Sequence, residues 1–373
     1  MTDVDGYIAS FDGEPGYLDW AAFGPLSPSV RSEAHADTEL LGSGRRSSID
    51  LVADHATRAR DLAASVMGVD DSAVVLQPST TYGLMHALYG VAGGVMMGRG
   101  EFPSLTIAAS RAVDALASAH VQWVEPVDGF MSPDFVRANL TDDTRAVAVS
   151  LVDFRTGYRT DLSALRDVIG DRLLIVDAIQ GFGVVEADYS AADVVCSNGY
   201  KWLRAGRGTG FAYFSDRALE RIRPVLSGFA GTDGDLPLDV VPLPASSARA
   251  FTVTAPDALA AARLATALAE TAAVGVGVIE AEIAQRAADV MFVADRYDVP
   301  VVTPRDPARR AGIVTLAPAP QDAAALAASL ANHGLTVTSR SGQVRISAHA
   351  GTAADTLRLL GDALAEFSSA RVW

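Results

Sequence analysis

The sequence predicts a layered α/β domain with a largely parallel sheet, followed by a smaller α+β lobe. Three observations carry that reading. Between about Val52 and Ser215, short apolar runs rich in β-branched residues alternate with alanine-rich amphipathic stretches. Most of these runs are continuously apolar, as strands covered by helices on both faces are. The chain has 373 residues, more than one compact domain usually holds, so two lobes are expected.

The expected organisation is an N-terminal segment over residues 1–20, a large domain over 21–255 and a small C-terminal domain over 256–373. Seven strands are expected in the large domain, at "AVVLQP", "GVMMGR", "VQWVEPV", "AVAVSLVD", "LLIVDAI", "DVVCSN" and "GFAYFS". Helical patterns fall between them, among them "SLTIAASRAVDALASAH" and "DLSALRDVI". The Gly-, Pro- and Asp-rich stretch from Gly228 to Pro244 reads as a long connection. Two alanine-rich helices follow, at about Pro256–Ala273 and Val276–Arg296. The tail then alternates "VPVVTP", "AGIVTLAP", a helix, "LTVTSR", "QVRISAHA" and a last helix.

Composition narrows the function classes. The formal net charge is −15, and no basic stripe exists, so a nucleic-acid partner is not expected. Cys196 is the only cysteine, which rules out an intramolecular disulfide and suggests a reducing, cytoplasmic setting. The acidic N-terminus lacks the features of a signal peptide, and no apolar run reaches the ~18 residues of a membrane span. The six histidines are scattered and H-E-x-x-H is absent, so no metal is expected.

Lys and Arg together number 30, and all but one are arginine. The exception is Lys201, in "SNGYKWLRAG". A high-GC genome would explain the arginines but not the exception. Lysine differs from arginine in that it can lose its proton, and its free amine condenses with carbonyls. In an open parallel sheet, ligands sit beyond the carboxyl ends of the strands. Three features fall there: Asp177 closing "LLIVD" with Gln180 three residues on, Lys201 after "DVVCSN", and the Ser79–Thr80–Thr81 turn after "AVVLQP". Singly, these are a loop cap, a solvated charge and a helix N-cap. Together they supply an amine for an aldehyde, a carboxylate for a ring nitrogen and a helix N-terminus for a phosphate. Aldehyde, pyridine nitrogen and phosphate are the three handles of pyridoxal 5′-phosphate (PLP).

With these residues in place, the sequence resembles the class V aminotransferases, which include cysteine desulfurases, kynureninase and isopenicillin N epimerase. "VDAIQGFGVVEAD" and "ADVVCSNGYKWLRAGRGTGFAYFS" are similar to that family's central block, "YLDWAAFGPLSPSV" to its N-terminal loop and "GQVRISAHAGTAADTLRLLGDAL" to its C-terminal segment. The resemblance implies the PLP-dependent transferase fold type I and a homodimer with its sites at the subunit interface. It also implies that Lys201 carries the cofactor as a Schiff base and shuttles the Cα proton. Asp177 would pair with the pyridinium nitrogen, and Gln180 would approach O3′. Thr81, with the Thr80 backbone, would hold the phosphate, joined by Asn198 or Tyr200. Phe102, in "EFPSLT", would stack on the ring, and Arg345 would clamp the α-carboxylate of a small amino-acid substrate.

The departures from the family are as informative as the matches. Phe154 in "VDFRTG" stands where an Asn is frequent. Thr254 corresponds only loosely to a Gly-Thr that reaches a phosphate across the dimer. Arg207 replaces a common proline, and Arg45 and Arg46 lie in a region that often borders the substrate mouth. Cys196 sits in an apolar strand, which disfavours persulfide-forming desulfuration. The reading is therefore a PLP-dependent lyase, of the C–S lyase or similar β-elimination type, with transamination and amino-acid epimerisation as alternatives. A degenerate, non-catalytic scaffold is disfavoured by intact Asp177 and Lys201. A nucleotide-binding oxidoreductase is disfavoured too, since "VAGGVMMGRG" lacks the G-x-G-x-x-G spacing.

Overall fold

The computed structural model describes residues 4–234 and 239–370. Its centre is a seven-stranded sheet made of β1 (Val74–Gln77), β2 (Gly93–Gly98), β3 (Ala119–Val124), β4 (Thr144–Ser150), β5 (Leu173–Asp177), β6 (Val194–Asn198) and β7 (Gly210–Phe214). The spatial order is β1-β7-β6-β5-β4-β2-β3. Strands β6, β5, β4, β2 and β3 run parallel, and β7 is antiparallel to both β6 and β1. All seven strands lie where the apolar runs predict them. Every residue of β5, β6 and β7 is buried, which is why these segments carry no alternation.

Separate apolar cores cover the two faces. One is built on Val147, Val149, Val176 and Phe211, the other on Ala146, Ala148, Ile175, Cys196 and Phe214. The helix Ala258–Val274 contributes Leu264, Ala265 and Leu268 to the first of these, so it packs with the large sheet although it follows residue 255. The next helix, Val276–Arg296, turns by 84° and spans both lobes. Its Ile279 and Ile283 join the large core, while Ala287, Val290 and Met291 join the small one. No single helix among the described residues is long and apolar enough to cross a membrane.

The small lobe carries a three-stranded antiparallel sheet, ordered β8 (Ile313–Leu316), β10 (Gln343–Ser347), β9 (Thr338–Arg340). "VPVVTP" is not a strand; it makes one isolated bridge, Val301 to Leu316. Pro300 and Pro304 lack the N–H a ladder needs. The Thr303 hydroxyl stands in for the missing pairing, accepting the Thr315 N–H at 2.9 Å. "LTVTSR" is strand only from Thr338, because Thr336 pairs instead with the N-terminal segment: Leu18 N–H donates to Thr336 and Thr336 N–H to Gly16. Asp19 then bridges to Ser347, so the chain's beginning is laid beside its last strand.

Candidate active site

Four strands of the central sheet deliver the site at their carboxyl ends. Strand β6 runs into a turn that Asn198 holds: its Oδ1 accepts the Tyr200 N–H at 3.1 Å and lies 3.1 Å from Thr209 Oγ1. Thr209 Oγ1 in turn accepts the Gly199 N–H. Lys201 leaves this turn with 4% of its surface exposed. Burial lowers its pKa to about 8, so a sizeable share of free amine exists near neutral pH. Its Nζ lies 5.5 Å from the ring of Phe102 and 5.5 Å from that of Tyr200.

The N-terminal loop closes on this lysine. Gly24 N–H donates to Tyr200 C=O at 2.8 Å, and a Cβ on Gly24 would fall 1.8 Å from the Lys201 carbonyl oxygen. Any side chain there would push the lysine segment away. Three residues later Arg204, 2% exposed and at φ +62°, turns its guanidinium onto Phe11, 3.8 Å from the ring centroid. It also donates to Ser10 Oγ and Ser10 C=O, fastening the first helix to the lysine turn.

Asp177 ends β5 with 2% exposure, and its Oδ1 accepts the Ile179 N–H at 3.1 Å. Burial raises its pKa to about 6, opposed by that N–H and by Lys201. A carboxyl so placed has room for a cationic partner, and a protonated ring nitrogen is one. At the end of β1, Ser79 caps the helix Thr80–Gly90 by accepting the Tyr82 N–H. Thr80 Oγ1 is buried and has no hydrogen-bond partner, while Thr81 Oγ1 lies 2.8 Å from Ser104 Oγ. Unpaired first-turn N–H groups beside an orphaned hydroxyl match what a phosphate requires. A phosphorylated pyridine aldehyde therefore fits the residues present, with Lys201, Asp177 and the Thr80–Thr81 turn as its three anchors.

Phe102 caps the helix Pro103–Leu116 at the exit of β2 and meets Phe154 edge-on, with centroids 5.1 Å apart and planes at 83°. Phe154, at the position where the family frequently has an Asn, thus works as an aromatic brace for Phe102 and offers no side-chain hydrogen bond. Gln180 is engaged on both ends: its Nε2 donates to Ala21 C=O and its Oε1 accepts the Trp202 indole N–H, each at 2.9 Å. One amide hydrogen remains for a cofactor oxygen.

Arg345 projects from β10 toward the same region. It donates to Phe154 C=O at 3.2 Å, to Asp19 Oδ1 at 3.3 Å and to Thr338 Oγ1 at 3.2 Å, and its buried Nε has no partner. A cavity of about 400 Å³ opens there, bordered by Phe102, Phe154 and Arg345. Of the remaining sequence candidates, Arg207 reaches this group. Arg46 pairs with Asp50 on an exposed helix, Arg207 stacks over Tyr200 at 4.7 Å, and Thr254 is exposed. Glu33, Asp37 and His55 form the one described cluster within metal-ligating distances, on helices 28–42 and 55–67.

Several participants were not found by reading the sequence. Glu101, beside Phe102, accepts from Ser150 Oγ at 2.6 Å and from Ser150 N–H at 3.2 Å, and burial raises its pKa to about 7. Trp202, Arg204 and Asp19 also act by contacts with distant segments. For all four a signal existed, since each lies inside a segment that carries the family resemblance.

Comparison with known proteins adds a lineage to this geometry. The class-V aminotransferase pattern matches residues 16–358. The chain belongs to the class V aminotransferase family. Among curated class V relatives, it is 30% identical over 192 residues to the kynureninase of Deinococcus radiodurans, covering 49% of this chain and 47% of that protein. It is 26% identical over 231 residues to a cysteine desulfurase of Pseudomonas putida, covering 57% of each. This class V chain thus spans about half the length of the curated relatives it matches. Among solved structures, an apo cysteine desulfurase from Thermococcus onnurineus NA1 superposes with a TM-score of 0.84 at 20% identity, covering 95% of both chains. The cystine C–S lyase C-DES, bound to its product cysteine persulfide, gives 0.84 at 18% identity, covering 95% of this chain and 98% of its own. At these identities the likeness concerns the fold, which is the PLP-dependent fold type I.

Cys196 is fully buried in β6, and burial pushes its thiol well above the ordinary range. A Cβ on Gly83, in the helix packed above, would lie 2.8 Å from its Sγ. Cys196→Ser is expected to keep most turnover with any substrate that responds. Steady-state assays of the variant check this, and complete loss with cofactor still bound would assign the thiol to the chemistry.

Proposed function

We propose that this class V protein is a PLP-dependent lyase that eliminates a substituent from the β-carbon of an α-amino acid. The observation that carries it is the burial of the chain's sole lysine between Phe102 and Tyr200, near Asp177 and away from any reactive thiol. Bound there, PLP supplies an electron sink that makes the substrate Cα proton acidic.

The chain's residues do the rest. Lys201 would hold the cofactor aldehyde, and its amine would accept the proton from Cα; its lowered pKa suits a group that must accept and return a proton near neutrality. Asp177 keeps the proton on the ring nitrogen. Thr80, Thr81 and the first-turn N–H groups hold the phosphate, with Asn198 and Tyr200 shaping the turn opposite. Phe102, braced by Phe154, covers the ring face and excludes water. The free amide hydrogen of Gln180 serves O3′. Arg345 offers its fork to the α-carboxylate, exchanging Asp19 for the substrate. The working unit in this reading is a cytoplasmic homodimer, as the family implies.

The test is to mix the holoenzyme with a panel of amino acids and follow the cofactor spectrum and the products. Release of pyruvate or ammonia without an added keto acid is the expected result. Accumulation of the amine form of the cofactor, reversed by a keto acid, would make the protein a transaminase, and loss of substrate chirality alone an epimerase. Arg345→Ala should weaken every responding amino acid by roughly 2–5 kcal/mol, the cost of leaving a buried carboxylate without its charged partner. Unchanged affinity across the panel would move the clamp to another residue.

A further inference from the structure

The cavity bordered by Phe102, Phe154 and Arg345 is unusually cationic. Arg99, Arg155, Arg340 and Arg345 line it, against one carboxyl, Glu101. Two of these arginines have duties already: Arg345 is assigned to the α-carboxylate, and Arg99 is exposed and paired with Glu125 at 3.1 Å. Arg155 is paired with Asp153 at 3.0 Å and still borders the cavity, and Arg340 has no acidic partner among the described residues.

Arg155 is fixed in place. Its Nε and Nη2 donate to Asp153 Oδ2 at 3.3 and 3.0 Å. Its guanidinium lies on the backbone of Gly100, where a Cβ would fall 2.4 Å from Nη1 and 2.5 Å from Nη2. The missing side chain at Gly100 makes the seat for this planar cation, two residues before Phe102. Arg340 is different: its side chain is exposed and, among the described residues, makes no hydrogen bond or ion pair. Its backbone is nevertheless held, because Arg340 pairs with Gln343 across a tight hairpin whose two turn residues, Ser341 and Gly342, have φ of +53° and +77°. Arg345 pairs with Thr338 in the same hairpin. Residues two apart on a strand share a face, so Arg340 and Arg345 lie on the same side of the hairpin, and both border the cavity.

We propose that this cavity takes an α-amino acid whose side chain ends in an anionic oxyacid group, with Arg345 on the α-carboxylate and Arg340 and Arg155 on the distal anion. The inference rests on the PLP-dependent reading above and adds the substrate class to it. A neutral side chain would leave Arg340 with no anion to match it and Arg155 with Asp153 alone. An anionic one meets a fixed planar fork and a second, adjustable one.

The experiment titrates the holoenzyme with aspartate against asparagine and with glutamate against glutamine, reading dissociation constants from the cofactor spectrum. In parallel, calorimetry compares succinate with butyrate, which need no chemistry at the cofactor. The acids should bind about 10-fold or more tightly than their neutral counterparts. Arg340→Gln should bring that ratio close to unity while leaving the constant for alanine unchanged, and Arg155→Gln should do the same in a second variant. Equal binding of acid and amide in the wild type, or an undiminished ratio in both variants, would overturn the assignment. If no amino acid altered the spectrum while succinate still outbound butyrate in an Arg340-dependent way, the PLP reading would fall and the anion site would stand.

Discussion

Lys201→Ala loses turnover on the order of 10⁴-fold and releases its cofactor on dialysis. The size of the effect follows from two roles held by one residue. A lost acid–base group alone costs about 10²–10⁴-fold, and here the same amine also anchors the cofactor. No neighbour can substitute, since the chain contains no second lysine. The wild-type apoprotein should recombine with cofactor faster as the pH rises through about 8, where burial has brought the Lys201 amine to half-deprotonation. An ordinary exposed lysine would need pH above 10. Absorbance of the reconstituted protein, followed at several pH values, measures both effects. Retained turnover and retained colour in the alanine variant would remove Lys201 from the chemistry.

Asp177→Asn keeps the cofactor attached but lowers turnover by about 10²–10³-fold, the usual cost of one buried electrostatic contact made to a developing charge. The amide cannot hold a proton on the ring nitrogen, so the electron sink weakens while Lys201 stays intact. The same substitution has a signature in the apoprotein. Burial raises the Asp177 carboxyl from 3.8 to about 6 in the apoprotein, even with Lys201 nearby to oppose the shift. A group raised in this way contributes stability below pH 4 that is lost as the pH climbs through 6. Wild-type apoprotein should therefore lose thermal stability across that window, and the asparagine variant should lose less. Parallel melting curves for the two proteins between pH 4 and 7 would contradict this account of Asp177.

Much of this was legible in the sequence because the informative features were local. Seven strands could be read from apolar runs, and four of them, β4 to β7, are continuous because they are buried on both faces. Lys201 and Asp177 stood out by rarity and by their places at strand ends. What escaped were contacts between distant segments. Glu101 meets Ser150, Arg204 meets Ser10, and Arg345 meets Asp19, each pair close in space and far apart in the chain. Such pairs leave no periodicity to detect. "VPVVTP" misled for the opposite reason: its β-branched residues suit a strand, but its prolines deny the ladder two donors. Phe154 showed in the sequence only as a departure from a frequent Asn, and its edge-on packing against Phe102 shows what it provides.

Borohydride reduction of the holoprotein, followed by peptide mapping, tests the central claim most directly. Reduction makes the lysine–cofactor link permanent, and the chain presents only two primary amines, the Lys201 side chain and the N-terminus. A stoichiometric cofactor label on the peptide carrying Tyr200–Lys201–Trp202 is the predicted result. A label on the N-terminal peptide alone, or no label on a protein shown to be folded and loaded, would contradict the account.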